Sequence, residues 1–212
     1  MPSILAIAAA TFSVLAAMLG APAAQPQRAA PPEGAVSIDV VTANGSGCPP
    51  GTTAVDVTSG NDAFVVTYGA YHAQVGVGAG PTDFRKNCQL NVVVRMPEGY
   101  RYAINGVEHR GRVSLAAGAS GVQRSNYYYA GVPANASREH RFTGPFDEQW
   151  QTVDEFDPAS LIFSPCGAVR NLNINTELRV IAGTSDRTTT NSSMTMDSTT
   201  SSIYHFIWRT CD

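Results

Sequence analysis

Arg170-Asn171-Leu172-Asn173-Ile174-Asn175-Thr176-Glu177-Leu178-Arg179-Val180-Ile181 is the stretch on which the fold turns. Leu172, Ile174, Leu178 and Val180 fall on one side of an extended chain. Asn171, Asn173, Asn175, Glu177 and Arg179 fall on the other. Successive side chains of a β-strand point to opposite faces, so this segment reads as a strand with one face on a core and one in water or on a ligand. The asparagine side would present a row of amides at about 6.5 to 7 Å spacing.

The same period of two recurs on both sides of it. Val36, Ile38 and Val40 alternate with Ser37, Asp39 and Val41, and Leu90, Val92, Val94 and Met96 alternate with Asn91, Val93 and Arg95. Further strands are expected at Val55–Val57, Phe64–Tyr68, His72–Val77, Tyr100–Ile104, Arg112–Leu115, Val122–Tyr129, Arg138–Phe142, Gln149–Val153 and Leu161–Phe163. Asn105-Gly106 reads as a hairpin turn, since both residues tolerate positive φ. Ile203 to Cys211 is apolar on both faces, as in a central strand covered on both sides. The one helical signal is a single turn at Asp157-Pro158-Ala159-Ser160-Leu161. About ten short strands with frequent turns predict an all-β fold, an antiparallel β-sandwich.

One stretch breaks the pattern. Gly183 to Ser202 is rich in Ser and Thr, and Met194 and Met196 are almost its only apolar residues. It reads as a mobile loop, or as a two-stranded flap.

The amino-terminal part has another character. Ile4 to Leu19 is apolar apart from Thr11 and Ser13, and no charge precedes Arg28. Small residues at Ala21, Ala23 and Ala24 come next. This predicts a secretory signal peptide over residues 1–23, too short to span a bilayer, which takes roughly 20 apolar residues. Residues 24–34 then form a flexible Pro- and Ala-rich leader ahead of a single domain over 35–212. No later segment is long enough for a membrane span.

Export and four cysteines together predict disulfides among Cys48, Cys88, Cys166 and Cys211. Three pairings are open. Cys48–Cys88 and Cys166–Cys211 are preferred because each closes the shorter loop. The spacings do not suit zinc, and no metal or cofactor is expected. Asn44-Gly45-Ser46, Asn135-Ala136-Ser137 and Asn191-Ser192-Ser193 are N-glycosylation sequons, meaningful if the chain is made by a eukaryote.

Charged residues make up 15% of the chain, the formal net charge is −3, and Lys86 is its one lysine. Nucleic acid is therefore excluded as a partner. No HExxH or GxSxG motif appears. His72 and His109 read as surface residues, and His205 as a satisfied strand histidine. The acids Asp147, Glu148, Asp154, Glu155 and Asp157 read as a solvated loop, although paired carboxyls could serve glycoside hydrolysis.

The cysteine and asparagine motifs resemble a known family. Gly47-Cys48-Pro49-Pro50-Gly51-Thr52, Thr82-Asp83-Phe84-Arg85-Lys86-Asn87-Cys88-Gln89-Leu90-Asn91, Asn126-Tyr127-Tyr128, Asn171-Leu172-Asn173-Ile174-Asn175-Thr176 and Trp208-Arg209-Thr210-Cys211 carry the likeness. It extends from about residue 36 to the end. On these motifs the chain is similar to the small secreted proteins of fungi and actinobacteria grouped as domain-of-unknown-function family 4360. The resemblance implies a signal peptide, four cysteines and one β-rich domain, and it brings no activity and no catalytic residues.

Function is then read from the polar face. Amides donate and accept, which suits sugar hydroxyls or an added peptide strand. Asn171, Asn173, Asn175, Glu177 and Arg179, with Tyr128 and Trp150 as stacking platforms, form the expected site of a non-enzymatic extracellular module that binds a glycan or a protein partner. The alternatives are a secreted hydrolase or lyase using an acid or histidine, and a secreted toxin or virulence-associated component.

Overall fold

The computed structural model describes residues 30–196 and 201–211. The expected signal peptide lies outside the described residues, as do positions 24–29 of the leader and 197–200 of the Ser/Thr-rich stretch. Among the described residues twelve strands succeed one another: β1 Ser37–Asn44, β2 Thr53–Val57, β3 Ala63–Tyr68, β4 Tyr71–Gly76, β5 Arg85–Arg95, β6 Tyr100–Leu115, β7 Ser120–Tyr129, β8 Ala136–Thr143, β9 Phe146–Glu155, β10 Asn171–Ile181, β11 Asn191–Met196 and β12 Ser201–Thr210. The helical signal is a single 3-10 turn at Pro158–Ser160, where the Asp157 carboxylate accepts from the Ala159 amide.

The strands form two antiparallel sheets. The first has five, in the order β1-β5-β10-β7-β8, so the strand with the asparagine row is central in it. The second has seven and is organised by β6. Along one edge of β6 run β12 and then β11, with Ser202 opposite His109 and Thr195 opposite Arg112. Along its other edge runs β9, with Gly111 opposite Trp150. β3 and β4 flank β12 and β11 in turn, and β2 flanks β3.

The alternation predicted from sequence decides what lies between the sheets. Leu172, Ile174, Leu178 and Val180 of β10 and Leu90, Val92 and Val94 of β5 are buried together with Phe64, Val66, Tyr102, Val107, Tyr204 and Phe206 of the second sheet. Phe64 stacks on Tyr204 at 4.7 Å between ring centroids, and Tyr102 meets Phe206 edge-on at 5.3 Å.

Cys48–Cys88 ties the segment after β1 to β5, and Cys166–Cys211 ties the segment after the 3-10 turn to the end of β12. Their sequence separations of 40 and 45 residues each correspond to about 4 kcal/mol of lost chain entropy in the unfolded state. The last residues of the leader are anchored: Pro31 is buried, and Asn61 Nδ2 donates to the Pro32 carbonyl at 2.7 Å.

Local signals mislead at five places. Asn105-Gly106 is not a turn. β6 runs straight through it, and Asn105 is taken up as a bulge opposite β12, His205 facing Gly106 and Phe206 facing Ile104. Pairing on both edges of β6 outweighs the local turn preference. The Ser/Thr-rich stretch holds β11, whose Ser192, Met194 and Met196 are buried while Ser193 and Thr195 face outward. Its two methionines fill the core, and Thr195 suits a pleated surface. Leu161–Phe163 is not a strand. The acids from Asp147 to Glu155 lie in β9 rather than in a loop. β12 is central, between β3 and β6, but only Ser202, Tyr204, Phe206 and Trp208 are buried; Ile203 and Ile207 on its other face stay half-exposed.

Candidate binding face

The outward side of the five-stranded sheet is polar, and strand register sorts it into rows. Paired residues of antiparallel strands point to the same face. One row is Thr42, Asn91, Asn173 and Tyr128, running β1-β5-β10-β7. The next is Asn44, Gln89, Asn175, Asn126 and Ser137, reaching β8. The third is Asn87, Glu177, Arg124 and Glu139, and the fourth Arg85, Arg179, Val122 and Arg141. Neighbours within a row are about 4.8 Å apart and rows about 6.8 Å apart.

The amide rows are ordered by their own hydrogen bonds. Asn171 Nδ2 donates to Asn91 Oδ1 at 2.6 Å, and Asn91 Nδ2 donates to Asn173 Oδ1 at 2.7 Å. Asn126 Nδ2 donates to Asn135 Oδ1 at 3.2 Å. Among the described residues, Asn175 and Gln89 have no side-chain partner, so their donors and acceptors face water. A shallow depression of about 430 Å³ covers these two, Asn126 and the charged row beside them.

The charged rows centre on Glu177. Its carboxylate takes Arg85 NH2 at 2.5 Å and Arg179 NH2 at 3.1 Å, and Arg124 NH1 stands 4.0 Å away. Arg124 also pairs with Glu139, and Arg141 NH2 reaches Glu139 at 2.5 Å.

Asn171, Asn173, Asn175, Glu177, Arg179 and Tyr128 thus lie on one face, with Tyr128 directly opposite Asn173. Trp150 does not join them. It belongs to β9 in the other sheet, is only 4% exposed, and packs its ring 5.4 Å from that of Phe142. Its cross-strand partner Gly111 leaves room for the indole: a Cβ there would sit 2.6 Å from the ring. Sequence reasoning missed Asn87, Gln89, Asn91, Asn126, Ser137 and the arginines of β5, β7 and β8. The signal was present in β5 and β7, where Gln89, Asn91, Arg124 and Asn126 each stand between buried residues; β8 has no buried residue, and one strand does not reveal its neighbours. Of the sequon asparagines, Asn44 and Asn135 are exposed at opposite margins of the face, and exposed Asn191 begins β11 and donates to the Val77 carbonyl at 2.8 Å.

The histidines fall in four settings. His72 is exposed. His109, expected at the surface, is completely buried in the core, between Ser202 Oγ at 2.8 Å and Tyr127 OH at 3.0 Å. Continuation of β6 past Asn105-Gly106 turns it inward. Burial, with His140 nearby, pushes its pKa down to about 3, so the ring is neutral. His205 reaches Glu108 at 3.2 Å. Burial would raise the Glu108 carboxyl, but His205 and Arg110 hold it below its usual range. His140 of β8 meets the buried Asp154 of β9 at 3.0 Å and closes one side of the sandwich, with Arg138 3.7 Å from the same carboxylate. A cavity of about 330 Å³ opens beside Arg138 between Tyr127, Phe156, Leu161 and Ile162. No Ser, Thr or Cys side chain among the described residues bonds to His140. No helix among them is long and apolar enough to cross a membrane.

Two stacked antiparallel sheets, two cystines and an open polar face define an oxidised extracellular β-sandwich. Family DUF4360, a domain of unknown function, matches residues 34–211, and the chain belongs to that family. An uncharacterized secreted protein of the fungus Arthroderma benhamiae is 34% identical over 182 residues, covering 86% of this chain and 74% of that relative. The chain is thereby placed among secreted proteins.

Proposed function

We propose that this protein is a non-enzymatic secreted module that binds an extracellular glycan on the outer face of its five-stranded sheet. The observation that carries the reading is the pair of amide rows, Asn91–Asn173–Tyr128 and Gln89–Asn175–Asn126, in register across three strands. Sugar hydroxyls donate and accept at once, and so do amides. The Asn171–Asn91–Asn173 bonds hold the first row in place before ligand arrives, which lowers the ordering cost of binding. Tyr128 supplies a ring at the margin for the apolar face of a sugar.

The test is a glycan array and then titration calorimetry, comparing wild type with an Asn173→Ala, Asn175→Ala double variant. Each lost hydrogen bond costs about 1 kcal/mol, so the double variant should bind at least about tenfold more weakly. Unchanged affinity in a folded double variant would sink this reading, and capture of a protein instead of a sugar would redirect it.

A hydrolase reading is supported by one observation, the His140–Asp154 pair near the cavity at Arg138. Glycoside or ester turnover abolished by His140→Gln would favour it over binding alone.

A further inference from the structure

The charged end of the face bears on which glycan is bound, a question that rests on the glycan-binding reading. Four arginines, Arg85, Arg124, Arg141 and Arg179, share the third and fourth rows with only two carboxylates, Glu139 and Glu177. The patch therefore carries two positive charges in excess on a chain whose formal net charge is −3. The carboxylates are the more withdrawn partners: the Glu177 side chain is 12% exposed and that of Glu139 32%, against 64% for Arg141 and 44% for Arg124. Each carboxylate is shared between guanidinium groups, and a guanidinium has five N–H donors, so donors remain beyond those that the two carboxylates take. Val122, between Arg179 and Arg141 in its row, is 3% exposed although it points outward. Arg179 and Arg141 flank it in the row, and arginine stems can lie on apolar surface with their charged heads in water.

We propose that the ligand is an acidic polysaccharide, with neutral hydroxyls on the amide rows and a carboxylate on Arg124, Arg141 and Arg179. Guanidinium groups recognise carboxylates in a planar, two-point fashion that a lysine cannot supply. Tyr128 and Val122, six residues apart on β7, mark a face about 20 Å long. That length suits several units of a chain rather than a single sugar.

The experiment titrates the full secreted chain with polygalacturonate, with the same polymer fully methyl-esterified, and with a neutral β-glucan. Binding to the free acid should be at least about tenfold tighter than to the ester, and it should weaken as salt rises, because partly exposed charges are screened. Arg124→Gln with Arg141→Gln should remove that preference. Glu139→Gln should tighten binding of the acid severalfold, a gain that misfolding cannot produce. Equal, salt-insensitive binding of acid and ester would overturn the acidic ligand and leave glycan binding standing. Binding of no polysaccharide would overturn both.

Discussion

Tyr128 of β7 stands directly opposite Asn173 of β10, on the outer side of the five-stranded sheet. The other aromatic residue that the sequence suggested for the same task, Trp150, lies buried in the other sheet across from Gly111. The two therefore respond differently to truncation. Tyr128→Ala should weaken glycan binding about tenfold, with the melting temperature shifted by no more than a few degrees. Trp150→Ala should cost about 3–5 kcal/mol of stability by opening a core cavity, without acting on the face directly. Calorimetry of both variants with and without ligand separates the effects, and a Tyr128 variant with full affinity would remove that ring from the site.

Acid should loosen the fold through His109. The neutral ring is bonded to Ser202 and Tyr127, with Tyr204 edge-on at 6.0 Å and His140 contributing charge, and its folded pKa is about 3 against a usual 6.5. As pH falls through 6.5 the unfolded chain takes up a proton that the folded chain refuses until about 3. The contribution is complete above that window and declines as pH falls across it. His109→Gln should have a shallower loss of melting temperature from pH 6.5 to 3, and parallel curves would exclude His109 as a source.

The two disulfides should differ in resistance to reduction. Cys48 and Cys88 are 0% and 1% exposed, whereas Cys166 is exposed and Cys211 half-buried. A thiolate must reach sulfur to exchange. Mild dithiothreitol on the native protein should open Cys166–Cys211 first, as read by alkylation and peptide mapping. Simultaneous opening of both would mean that global unfolding limits the reaction.

Two sequons border the proposed face. Asn44 pairs with Gln89 in the second amide row, and Asn135 accepts from Asn126 of that same row. In a eukaryotic secretion host, glycans attached at Asn44 and Asn135 should hinder ligand access. Enzymatic deglycosylation, or Asn44→Gln with Asn135→Gln, should then raise affinity. Glycosylated protein that binds as tightly as the deglycosylated form would show that the face stays open between them.

Much of the fold was readable because alternation is local. The pattern from Asn171 to Ile181 identifies its own inner and outer residues without knowledge of any other strand. The same holds for β5 and most of β7. Where sequence reasoning failed, a distant partner overruled a local preference. Asn105-Gly106 would turn in isolation, but β12 and β9 pair with β6 on either side of it. The polar run around β11 has little apolar content, yet β4 and β6 take up its backbone. Ser and Thr then sit on the pleat, and Met194 and Met196 reach the core.

The chain's sequence alone settled which side chains of β5, β7 and β10 could face water together, because a period of two is a property of the backbone. It also settled an oxidised, all-β class through four cysteines and the strand pattern. Only the tertiary structure decided which strands became neighbours. Register places Gln89 and Asn126 beside Asn175, brings four arginines around two glutamates, and carries Trp150 to the opposite sheet. Register is set by packing between residues far apart in the chain, and no single strand contains that information.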